Sequence, residues 1–99
     1  MSDDLLAEKF RALGDPTRMR IFRLLAVQHE DERLCAGEIC ARLTGAAKIN
    51  STISAHLKEL RHAGLIRMEK AGRHCYFRAN PAGMRDLISF LMSVEDLDG

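Results

Sequence analysis

Two cysteines five residues apart, and a run of short hydroxyls on one helical face, are the residues of this chain best suited to chemistry. Cys35 and Cys40, in Cys35-Ala36-Gly37-Glu38-Ile39-Cys40, could offer thiolates to a soft ion. The spacing puts Cys35 at a helix N-terminus, which favours the reactive thiolate form. Cys40 has a second reading, because beside Ile39 and three before Leu43 a cysteine commonly packs as a small hydrophobe. A disulfide between the two is disfavoured: residues five apart in a helix have Cα atoms roughly 8 Å apart, beyond the usual limit of about 7 Å. Cys75 alternates with Phe77 along a strand pattern, which predicts burial. Three cysteines at irregular spacing suit reduced thiols better than a disulfide framework.

The second set lies in Ser51 to Leu65, STISAHLKELRHAGL. Ile53, Leu57 and Leu60 repeat as one apolar helical stripe, Asn50 or Ser51 can cap its start, and Gly64 can end it in a left-handed turn. Ser51, Ser54, Ala55, Lys58 and His62 then point away from the stripe. Small hydroxyls, a methyl and a lysine let a helix approach base edges and phosphates closely, where an ordinary solvated helix would more often carry Glu and Lys pairs. His56 lies on the shoulder of the stripe, a place that favours packing between helices over the alternative of reading bases.

Charge is distributed to match. The net charge is only +1, yet Lys48 to Arg78 holds seven basic residues (Lys48, Lys58, Arg61, Arg67, Lys70, Arg73 and Arg78) against Glu59 and Glu69. The remainder carries eight basic against twelve acidic residues. A basic segment in an acidic frame is the footprint of a phosphate-binding surface.

The elements that must position these groups follow from periodicity and caps. Asp3 to Leu13 reads as a helix with Leu5, Leu6, Phe10 and Leu13 in a stripe. Asp15 and Pro16 open a second helix, the most apolar, through Ile21, Phe22, Leu24 and Leu25. Gln28 to Arg33 is a polar loop, Leu34 to Leu43 a short helix, and Thr44 to Lys48 a turn into the Ser51 helix. Leu65 to Glu69 and His74 to Ala79 have strand composition and are joined by Lys70-Ala71-Gly72-Arg73 as a hairpin. Asn80 and Pro81 open a last helix whose face of Met84, Leu87, Ile88, Leu91 and Val94, widened by Phe90 and Met92, exceeds what one small domain covers; with the first helix it predicts a homodimer interface. At 99 residues the chain is expected to be one domain, 1–99, mostly α with a β-hairpin wing. The first 30 residues lack a continuous apolar run, so neither a signal peptide nor a membrane span is expected and the location is cytoplasmic.

An enzyme is poorly supported. Ser54 and His56 stand two apart on a helix and point to different sides, and no nucleophile elbow or metalloprotease motif occurs.

The order of helices, reading helix, hairpin and helix, with Leu13-Gly14-Asp15-Pro16-Thr17-Arg18, Leu34-Cys35, Ser51-Thr52-Ile53-Ser54, His56-Leu57-Lys58, Leu60-Arg61, Ala63-Gly64-Leu65 and Gly72-Arg73, resembles the ArsR/SmtB family of metal-responsive repressors over nearly the whole chain. The resemblance implies a winged helix-turn-helix, dimerising through its first and last helices, that binds a palindromic operator in double-stranded DNA and leaves it when an inducer binds. It places Ser51, Thr52, Ser54, Ala55 and Lys58 in the major groove and gives Lys70, Arg73 and Arg78 backbone phosphates. Ala55 is a departure, since many relatives carry histidine there.

Arsenic-responsive relatives present Cys-x-Cys, sometimes Cys-x-Cys-x-x-Cys, at the start of the third helix. Here Cys35 and Cys40 stand at the first and third positions, with Gly37 in the middle one. The resemblance therefore implies arsenite, antimonite or a soft divalent metal as inducer at Cys35 and Cys40, bound more weakly than by three thiols, and no required cofactor. A non-metal, redox or protein-partner signal is the alternative. Zinc-binding relatives use Asp and His ligands on the final helix; Asp86 is present, but no histidine follows His74.

Overall fold

The computed structural model describes residues 2–29, 31–46 and 50–98, with backbone alone for 96–98. Lys48, and with it the end of the expected Thr44–Lys48 turn, lies outside the described residues. Five helices and three strands follow in the order α1 (Asp3–Leu13), α2 (Pro16–Ala26), β1 (Leu34–Cys35), α3 (Ala36–Thr44), α4 (Ser51–His62), β2 (Ile66–Ala71), β3 (His74–Ala79) and α5 (Pro81–Asp98).

The caps form where the sequence offers them. Ser2, Asp15 and Asn50 each accept a backbone N–H three residues on, and Pro16 takes the first position of α2, where no intrahelical donor is needed. The core gathers Ile21 and Leu25 of α2, Ile39 and Cys40 of α3, and Ile53, Leu57 and Leu60 of α4 against Leu34, Leu65, Ile66 and Phe77. The apolar stripe of α4 thus faces inward, and its polar face is left outward.

Two expected boundaries and one expected buried face shift. The third helix does not begin at Leu34: Leu34 and Cys35 are extended and pair antiparallel with Phe77 and Tyr76, making a three-stranded sheet of order β1-β3-β2. Pairing across the sheet buries Leu34, which a first helical turn would not do. The hairpin is also longer, with Lys70 opposite Cys75 and Ala71 opposite His74, so only Gly72 and Arg73 form the turn. Lys70 sits on a strand beside the tip rather than in the tip itself. On α1 the buried residues are Lys9 and Ala12, while Leu5 and Phe10 of the expected stripe are exposed.

An apolar face is left open on the terminal helices. Ile88, Phe90, Leu91, Met92 and Val94 of α5 are all exposed, with Leu91 at 56%. Phe10 meets Phe90 edge-on, with ring centroids 5.8 Å apart, so α1 and α5 share this surface.

Candidate nucleic-acid interface

Asn50 Oδ1 accepts from Ile53 N–H at 2.8 Å, fixing the start of α4. Ser51 and Thr52 form the exposed first turn, whose positive dipole end suits an anion. Ser54, Ala55 and Lys58 follow, all exposed, and no carboxylate occurs from Ser51 through Lys58. A groove of about 220 Å³ between α4 and the sheet is lined by Ser54, Lys58, Arg61 and Phe77, among others. The structure therefore brings the polar residues of α4 to the base of the wing.

On the wing, Lys70 and Arg73 are exposed, whereas Arg78 is turned toward Glu69, Nε to Oε1 3.6 Å, on the outer sheet face. Arg61, exposed one turn after Lys58 and sharing its groove, belongs to the same surface; the i, i+3 spacing was the signal for it.

α4 is held at its middle and at its C-terminal end. Arg18 of α2 donates through Nε to Ala12 O at 2.7 Å and reaches Arg11 O at 3.4 Å, and its Nη1 lies 3.2 Å from His56 Nδ1. Asp15 Oδ2 accepts Arg18 N–H at 3.0 Å and stands 3.9 Å from His56 Nε2. The Arg18 backbone N–H, helped by the positive charge of His56 when protonated and of the Arg18 guanidinium, holds the Asp15 carboxyl below the usual carboxylate range, against a smaller opposing effect of desolvation. At the far end Lys9 Nζ donates to Ala63 O at 2.8 Å. Lys9 did not stand out in the sequence, and Arg18 did so only as part of the Leu13–Arg18 run, with no sign of its partners.

The three thiols differ in burial. Cys40 is fully buried in the core, and Cys35 is half-buried at the start of α3. Glu38 Oε1 accepts from the Cys35 thiol at 3.1 Å and, at a longer 3.5 Å, from its backbone N–H. Cys75 is half-buried on the wing. Among the described residues no three His, Cys, Asp or Glu side chains converge as metal ligands.

Three helices leading into an outward polar helix, followed by a basic hairpin, define a winged helix-turn-helix of a DNA-binding transcriptional regulator rather than an enzyme. The family model for the helix-turn-helix domain matches residues 13–69. An HTH-type transcriptional regulator of Methanocaldococcus jannaschii is 33% identical over 85 residues, 86% of this chain and 89% of that protein. The arsenic resistance transcriptional regulator ArsR1 of Pseudomonas putida is 33% identical over 89 residues, 88% of this chain but 63% of that protein. The chain therefore spans less than two thirds of the arsenic regulator. Among solved structures, the homodimeric winged helix-turn-helix DNA-binding domain of a possible ArsR-family regulator of Mycobacterium bovis superposes with TM-score 0.66 at 28% identity, over 97% of this chain and 88% of that one. The chain belongs to the ArsR/SmtB family of winged helix-turn-helix transcriptional regulators. No described helix is long and apolar enough to cross a membrane.

Proposed function

We propose that this chain is a homodimeric repressor that reads a palindromic operator with α4 and grips flanking phosphates with its wing. The observation that carries this is the α4 surface: capped, exposed, free of carboxylates from Ser51 through Lys58, and set beside a basic hairpin. Ser51, Thr52, Ser54, Ala55 and Lys58 face base edges and nearby phosphates, while Lys70 and Arg73 take the backbone. The open apolar face of α1 and α5 is the dimer contact, which the homodimeric relative supports. Two-fold symmetry then sets half-sites about one DNA turn, roughly 34 Å, or a multiple apart. The test is fluorescence anisotropy with duplexes from the region upstream of its own gene, beside sedimentation. Equal affinity for the upstream and scrambled duplexes, or a stable monomer at micromolar concentration, would defeat the reading.

For release, likeness to an arsenic resistance regulator supports an arsenical inducer, and Cys35 and Cys40 are the thiols suited to arsenite, antimonite or a soft divalent metal. The full burial of Cys40 supports the second reading, a non-metal, redox or protein-partner signal, because a two-thiolate site requires the first turn of α3 to rearrange. Operator release measured with arsenite, antimonite, cadmium, zinc and peroxide separates the two.

A further inference from the structure

Lys9 is only 8% exposed and is the one buried charged residue among the described residues. Its single hydrogen bond there is to Ala63 O, the carbonyl at the C-cap of α4, 54 positions along the chain. The negative end of the helix dipole suits an ammonium at this place. Two of the three N–H groups have no protein partner among the described residues, so burial of this charge is poorly compensated. A methionine of similar length would fill the same space without burying a charge, though the Ala63 carbonyl would lose this donor. What a methionine cannot do is fix direction.

The turn that Lys9 holds is clasped from the opposite side as well. Asn80 Nδ2 donates to Gly64 O at 2.9 Å and Asn80 N–H donates to Leu65 O at 2.8 Å. Gly83 of α5 lies so close to the Gly64 carbonyl that a Cβ at position 83 would collide with it. Gly64 itself has φ +76°, and a Cβ there would come within 3.3 Å of Lys9 Nζ. Helices α1 and α5 thus meet at the last turn of α4, one supplying a charged hydrogen bond and the other backbone contact.

We propose that Lys9 is a positioning residue for DNA reading: it ties the end of α4 to α1 and so transmits the geometry of the dimer helices to the two reading helices. The inference rests on the homodimer reading above. In a two-fold dimer, a small rotation of α4 on α1 is applied twice, in opposite directions along the DNA. Lys9 therefore sets which half-site separation the dimer accepts.

The test compares wild type, Lys9→Met and Lys9→Arg on the upstream operator duplex and on versions with one base pair added or removed between half-sites. Lys9→Met is expected to remain folded and dimeric and to lose about tenfold of the preference for the native spacing. Its affinity for non-specific duplex and its salt slope stay at wild-type values, because the buried ammonium faces a carbonyl and not a phosphate. Lys9→Arg, which keeps a charged donor, retains more of the preference than Lys9→Met. If Lys9→Met does not fold, Lys9→Gln carries the same comparison, with its preference expected below that of wild type. A folded, dimeric Lys9→Met with unchanged spacing preference overturns the proposal alone, as does equal loss on all duplexes. A wild-type protein without any spacing preference overturns the homodimer reading, and this inference with it.

Discussion

Arg18 Nη1 and His56 Nδ1 lie 3.2 Å apart, and because a guanidinium can only donate, His56 accepts at Nδ1 and carries its proton on Nε2, toward Asp15. The contact joins the start of α2 to the middle of α4. Arg18 also closes α1 through the carbonyls of Ala12 and Arg11, so one side chain ties three helices. Arg18→Ala should therefore destabilise more than His56→Ala, and a double-mutant cycle by urea unfolding should give a coupling of about 1 kcal/mol. Strictly additive losses would show that the two side chains are neighbours without being partners.

Acid should expose the Asp15 contribution. Its folded-state carboxyl is held below its ordinary value, so its stabilisation is complete above the unfolded value of about 3.9 and is lost as pH falls through the lower folded value. Wild type and Asp15→Ala should differ in stability at pH 6 and converge as the pH is lowered through and below the carboxylate range. A gap that stays constant from pH 6 to pH 2 would remove the carboxylate from the account.

On DNA, the two parts of the interface should fail differently. Lys58→Ala or Ser54→Ala should weaken operator binding by about 1 to 3 kcal/mol each if the side chain reads a base edge or groove phosphate. Arg73→Ala, at the turn of the wing, should weaken all duplexes alike and lower the salt slope by about one unit. An unchanged slope would place Arg73 outside the contact.

Much of this arrangement was legible because it rests on local rules. Asp15-Pro16 and Asn50 cap their helices as their side chains dictate, and Ile53, Leu57 and Leu60 turn inward as their spacing requires. The two-residue strand Leu34–Cys35 was not legible: it is too short for a period and exists only because β3 lies beside it. The same holds for Lys9, whose role depends on a carbonyl 54 positions away. His56 was readable as a packing residue from its angle on α4, but its partners Arg18 and Asp15 were not, since nothing local links positions 15 to 18 with position 56. The distinction between Cys35 and Cys40 was partly readable, through the Ile39-Cys40 neighbourhood, and burial decides how each side chain is placed.

That difference gives the last prediction. Cys40 is fully buried among apolar side chains, so Cys40→Ser would bring a hydroxyl into the core and should cost about 1 to 3 kcal/mol, whereas Cys35→Ser at the half-buried start of α3 should cost little. In the native protein iodoacetamide should alkylate Cys35 and leave Cys40 untouched until unfolding. These reactions bear directly on release from the operator. If arsenite acts through both thiols, it must draw Cys40 out of the core, and either serine variant should abolish release while the protein stays folded. If Cys40 only packs, Cys40→Ser should lower stability and leave any release by other signals intact. Rapid alkylation of Cys40 in the folded protein would contradict its placement and return the pair to contention as a preformed site.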